Sequence, residues 1–233
     1  MEAKLYGLRG APPSFSAELM LRHKGIDYRR VNMIPGRHRK TLRRKGFTGD
    51  TAPALVLDGR RVQTNRAIAR ALDDVVADAP LFPASPAARS AVEEAERFVD
   101  EVLQHATRRM ALWSLTRDPR SVTPHPALGR LLVPRNRWLR ARVMPGVFRH
   151  YGVTDEVVRD HFATLPSWLD RLDGYIGAGV LDGAELTAAD FEAGPLVAAL
   201  MGIEGHGEGI AQRPVASLVI RVMPGSVIVK PGG

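Results

Sequence analysis

None of the 233 residues is a cysteine. That excludes disulfides, thiolate metal sites and cysteine nucleophiles, so any thiol chemistry has to use a thiol carried in by a ligand. No apolar run approaches the roughly 20 residues needed to cross a bilayer. The first ten residues, MEAKLYGLRG, have no apolar core followed by a cleavage site. A cytoplasmic protein without a membrane partner is the expectation. Internal repeats and low-complexity tracts are missing as well. Acidic charge is the remaining shortage, with 25 Asp and Glu against 33 Lys and Arg, a net of +8. Such an excess can serve an anionic partner. The arginines are spread over several segments, however, with no stacking aromatics and no recognition-helix pattern. A solvated basic surface is therefore the better reading, and nucleic acid the weaker one.

What is present is ordinary for a globular chain long enough to bury a core: 45% apolar and 25% charged residues. AKLYGL (3–8) reads as a strand, followed by a proline-marked junction and an amphipathic helix that stops at Gly25. DYRRVNM (27–33) alternates and reads as a second strand. RHRKTLRRKGFTGD (37–50) is a short helix or loop. PALVLDGRRVQ (53–63) reads as a hairpin turning at Asp58-Gly59. NRAIARALDDVV (65–76) has helical apolar spacing with Asn65 as a candidate N-cap. Residues 1–77 thus read β-α-β-α-β-β-α. The stretch 78–88, rich in proline, reads as a linker. Residues 89–233 read as all-helical, beginning with a long helix from Ser85-Pro86. A proline-broken stretch follows, then helices from Thr154 and around LTAADF. The tail RVMPGSVIVKPGG is β-prone.

Four elements in this order resemble the cytosolic glutathione transferase superfamily: LYGLRGAPPSFSAELMLRHKGIDY, TAPAL, TNRAIARALD and LTAADF. The resemblance covers roughly residues 3–200. It implies an α/β plus all-α fold, a thioredoxin-like βαβ-ββα domain followed by a helical domain. It further implies a cis proline at Pro53, a homodimer, and glutathione or another low-molecular-weight thiol as co-substrate, with no metal. Pro53 cannot donate to a ladder and belongs where a strand begins. Ala52 beside it could pair with an extended ligand as an added strand does. Thr64 and Asn65 open a helix whose N-terminus suits a carboxylate. They stand where the family has Glu or Gln and Ser, and Gln63 is a neighbouring substitute. The basic run 37–45 suits a ligand with two carboxylates, with His38, Arg39 and Lys40 singled out.

The junction GAPPS carries the main question. The family's thiolate-stabilising position falls on Ala11, which has no hydroxyl or thiol. Pro12 matches the proline that follows it in the family. Three readings stay open: Ser14 replaces the missing group with help from the helix dipole, backbone N–H groups suffice, or the ligand binds without activation. Ser16 is half a turn away and a weaker candidate. Arg108, Arg109, Met110, Trp113 and 135–152 are candidates for the substrate side, suited to a flat, aromatic or acidic acceptor. Thr187 to Asp190 is a capping box with a folding role. The expected function is transfer of a thiol to, or reduction of, a small-molecule electrophile. The alternative is a non-catalytic binding protein of the same fold for an apolar or anionic ligand.

Overall fold

A computed structural model describes residues 1–130, 133–134 and 136–224. The N-terminal half runs β1 (Ala3–Leu8), α1 (Pro12–His23), β2 (Tyr28–Met33), α2 (His38–Arg44), β3 (Ala54–Leu57), β4 (Arg60–Gln63) and α3 (Asn65–Val75). The sheet order is β2-β1-β3-β4. Strands β1 and β2 are parallel, which requires a crossover, and α1 supplies it. Strands β3 and β4 form a hairpin whose turn residues, Asp58 and Gly59, both take positive φ (46° and 82°).

Alternation in β1 sets the layers. Leu5 belongs to the main core with Met20 and Leu21 of α1 and Ile68 and Leu72 of α3. Tyr6 faces a smaller cluster with Met33, Leu42 and Phe47, where its ring meets Phe47 edge-on at 5.7 Å. Two helices therefore cover one side of the sheet and α2 the other.

The C-terminal half is helical: α4 (Pro86–Phe98), a π-helical turn (Val99–Leu103), α5 (Gln104–Arg117), α6 (Arg137–Tyr151), α7 (Asp155–Gly177), α8 (Ala188–Met201), α9 (Gly207–Ala211) and α10 (Val215–Val222). Helix α4 opens at Pro86, inside the stretch read as linker. The long helix expected from Ser85 runs from Pro86 to Arg117 with helical backbone throughout, and the π turn lies inside it. Helix α6 begins where the proline-broken segment ends. Asn136 caps it by accepting from the N–H groups of Trp138 and Leu139, and Gly152 closes it in the left-handed region (φ 63°). Arg221 and Val222 end α10 rather than begin a strand, and the tail from 225 lies outside the described residues, as does Arg135.

Helix α8 is apolar nearly all round and buried along almost its whole length. It packs on α1 and α3 from the N-terminal half and on α4, α5 and α10 from its own. Its entry is fixed by Asp190, which accepts from the N–H groups of Thr187 and Asp182 at 2.7 Å each and from Thr187 Oγ1 at 2.8 Å. The buried ammonium of Lys24, at the end of α1, holds Val76 O (2.7 Å), Asp78 O (3.0 Å) and Asp73 (2.5 Å). One charged group thereby joins α1, the end of α3 and the start of the connection between the halves.

Candidate functional site

Sheet register brings the sequence-predicted thiol-site residues to one end of the sheet. Tyr6 pairs with Ala54 and Ala54 with Gln63, so the end of β1, the start of β3 and the end of β4 lie side by side. Ala11 follows β1, Ala52 and Pro53 precede β3, and Thr64 and Asn65 follow β4. The Ala52–Pro53 peptide bond is cis, and Thr64 N–H donates to Pro53 O at 3.3 Å. Among the described residues no hydrogen bond engages the N–H or C=O of Ala52.

The opening of α3 is strained and under-satisfied. Thr64 is a β-branched residue at φ 76°, ψ 150°, a conformation L side chains rarely adopt. Such outliers cost about 1–3 kcal/mol and cluster at ligand sites. Thr64 Oγ1 accepts from Ala67 N–H, so Thr64 rather than Asn65 is the N-cap. Asn65, buried as the first residue of the helix, has no partner for its Oδ1 among the described residues. A buried acceptor without a donor carries a desolvation cost that a ligand N–H would remove. Gln63 does not reach this site. Its amide is held by Gly49 N–H and Thr51 O at 2.9 and 2.8 Å, which fixes the loop before Ala52.

The junction before α1 is correspondingly poor. Ala11 is the N-cap in an extended conformation (φ −95°, ψ 118°) and makes no side-chain cap bond. Pro12 and Pro13 contribute no N–H. The next two, Ser14 and Phe15, turn back to Ala11 O at 3.0 and 3.3 Å. Ser14 is 0% exposed and its Oγ accepts from Leu8 N–H at 2.9 Å. A Cβ on Gly7 would stand only 3.1 Å from Ser14 Cβ. The expected thiolate stabiliser is thus enclosed between α1 and β1, where it ties the strand end to the helix. Ser16 is buried too and donates to Pro12 O at 3.1 Å.

The substrate-side candidates do not gather at one place. Met110 is fully buried in the main core. Arg109 donates to Tyr151 O at 2.8 Å and meets His161, pinning the end of α6 to α5. Arg108 lies over the Tyr151 ring at 5.0 Å, and burial lowers its pKa. Trp113 donates to Asp155 at 2.9 Å and borders a cavity of about 250 Å³ with Ser114, Phe162, Ile203 and His206. Of the basic run, Arg39 contacts the His150 ring of α6, and Lys40 is exposed. His38 is kept below the usual imidazole range by burial first and by Arg39 second.

Sequence reasoning passed over a buried charge network beneath α3. Arg70 grips Glu96 with two bonds of 2.9 Å, and Arg66 lies 3.4 Å from the same carboxylate. Glu192 of α8 is buried nearby. Burial first, then the carboxylates of Glu96 and Asp100, hold its pKa well above the carboxylate range. A lone Glu inside the apolar run of 188–201 was the signal available in the sequence.

No metal-ligating cluster occurs among the described residues. Residues 5–80 match the family described as glutathione S-transferase, N-terminal domain. No protein of curated function matches the sequence. Among solved structures, the β-etherase LigF from Sphingobium is similar at a TM-score of 0.66 and 17% identity, over 95% of this chain and 100% of that one. A glutathione transferase from Populus trichocarpa gives 0.65 at 16% identity, over 94% and 91%. A glutathione S-transferase of Ceriporiopsis subvermispora in complex with glutathione gives 0.64 at 17% identity, over 95% and 98%. The chain has the fold of the glutathione S-transferases, with their N-terminal domain over residues 5–80.

Proposed function

We propose that this glutathione S-transferase-fold chain binds glutathione, or a low-molecular-weight thiol of the same kind, at the sheet end, and passes it slowly to an electrophile. The observation that carries the reading is the opening of α3. Thr64 is strained, Asn65 Oδ1 is buried without a partner among the described residues, and the helix opens next to Pro53, whose O accepts from Thr64 N–H, with the backbone of Ala52 unengaged. A γ-glutamyl ligand has the matching groups: a carboxylate for the helix N-terminus, an ammonium for Asn65, and an extended backbone for Ala52.

Slow transfer follows from the junction. A free thiol has a pKa of about 8.5, and lowering it takes a hydroxyl, a cation or open N–H groups. Ala11 has no side-chain donor and its N–H turns back to Leu8 O at 3.3 Å, while Pro12 and Pro13 have no N–H. The same lack supports the second reading, a binding protein of this fold that carries its ligand without chemistry. Homodimerisation, a cytoplasmic location and the electrophile's identity belong to the proposal.

Calorimetric titration with glutathione at neutral pH tests it, run in two buffers of different ionisation enthalpy. Saturable binding abolished by Asn65→Leu, together with slow turnover of a general electrophile, is expected. Binding without turnover leaves the carrier reading. No binding at millimolar thiol removes both thiol readings and leaves a groove turned to another ligand.

A further inference from the structure

Helix α6 is basic on its outer side and also apolar there. Met144 is its buried residue, and Val147, Phe148 and Tyr151 are the half-covered neighbours on the same side. The opposite side carries Trp138 (72% exposed), Leu139 (43%) and Val143 (41%), interleaved with Arg142 and Arg149. Large apolar side chains so exposed are few on the described surface, and these three fall within six consecutive residues. Exposed large apolar side chains gathered in one patch mark a contact surface.

The patch continues onto α2. Arg39 meets His150 across the gap between the two halves of the chain. Around α2 stand the exposed Arg37, Lys40 and Arg44, with Ile34 (61% exposed) just ahead of them. Arg43 pairs with Asp50. Among the described residues, Arg37, Lys40, Arg44, Arg137, Arg142 and Arg149 have no carboxylate within ion-pair distance. Unpaired positive charge therefore lies on the outer side of α6, at Arg142 and Arg149, and around α2, joined to it at Arg39 and His150, beside aromatic and aliphatic side chains.

We infer that this face, the outer side of α6 together with the segment from Ile34 to Arg44, docks on the surface of a membrane rich in anionic phospholipid. Headgroup phosphates complement the unpaired arginines, and Trp138, Leu139 and Val143 enter the headgroup–acyl boundary as an interfacial helix does. A nucleic acid would satisfy the charges but offers nothing to Leu139, Val143 and Ile34. That no helix is long and apolar enough to cross a membrane bears on spanning, not on surface contact. The expectation of no membrane partner is replaced by this proposal.

Co-sedimentation of the full chain with vesicles is the test, comparing phosphatidylcholine alone with equal parts phosphatidylcholine and phosphatidylglycerol. Binding to the anionic vesicles alone is expected, with a blue shift of tryptophan emission that Trp138→Ser abolishes. Arg142→Ala with Arg149→Ala should weaken binding about 25-fold, roughly fivefold for each charge near the surface. All three residues are exposed, so folding should persist, and a melting curve checks it. No vesicle binding overturns the proposal. So does equal binding to both vesicle types, which would make charge irrelevant. Binding to duplex DNA that Trp138→Ser leaves intact, without vesicle binding, would make the face a nucleic-acid surface. A dimer in sedimentation velocity that Trp138→Ser dissociates, again without vesicle binding, would make it a contact between copies.

Discussion

Replacing Ser14 with alanine removes a single oxygen from the space between β1 and α1. The Cβ that packs against Gly7 stays, so almost no contact is lost. What changes is Leu8 N–H, which loses the Ser14 Oγ acceptor at 2.9 Å. A buried donor left unpaired costs about 1–3 kcal/mol. Leu8 is half-buried, so water can reach it in part, and about 1–2 kcal/mol is expected. For a chain of this size each kcal/mol moves the midpoint by about 2–4 °C, so Tm should fall by about 2–8 °C. Scanning calorimetry reads that. In the same sample, glutathione titrated in two buffers reads how many protons leave the thiol on binding. The enclosed Ser14 predicts a lower Tm with unchanged proton release. An unchanged Tm with proton release abolished would refute the reasoning and return Ser14 to the role of thiolate stabiliser.

Three further outcomes follow from the same structure. Ala11→Ser places a hydroxyl at an N-cap already in the extended conformation. It should raise stability by about 1 kcal/mol in urea unfolding and increase turnover with a thiol if the ligand sulfur lies at that turn. Asp190→Ala leaves the N–H groups of Thr187 and Asp182 unpaired in a buried corner and should cost about 3 kcal/mol or more, read by urea unfolding. Glu192→Gln should stabilise the chain at neutral pH. The carboxyl's pKa is raised by burial, so the folded state keeps a proton that the unfolded chain releases above about pH 4.3. Wild-type stability then falls relative to the variant as pH rises above that value, by at most about 1.4 kcal/mol per pH unit, and the gap is flat below it.

Much of the N-terminal half was legible because local chemistry and tertiary demand agree there. Asp58-Gly59 specifies its own turn, Gly25 its own helix end, and the alternation in β1 sends Leu5 and Tyr6 to opposite faces as the pleat requires. Thr154 and Thr187 announced α7 and α8 in the same way. Helix α6 was not legible, because Pro145 inside it reads as a breaker, and its packing on α5 overrides that signal. The π turn at Val99–Leu103 leaves no mark in apolar spacing. At the candidate site, the residues could be named but not their orientation. Ser14 and Met110 are enclosed, and burial is decided by neighbours far away in sequence.

Helix α8 has a consequence for the order of events during synthesis. The face of α1 that α8 covers is made within the first 23 residues, and its cover is complete only at Met201. At roughly 5–20 residues per second, that face waits about 10–35 s on the ribosome before its partner exists. The N-terminal half therefore spends its early life with an apolar helix surface open to whatever is near. A chaperone that recognises nascent apolar segments would be expected to hold it there, and slowing translation ahead of residue 188 should lower the yield of soluble chain.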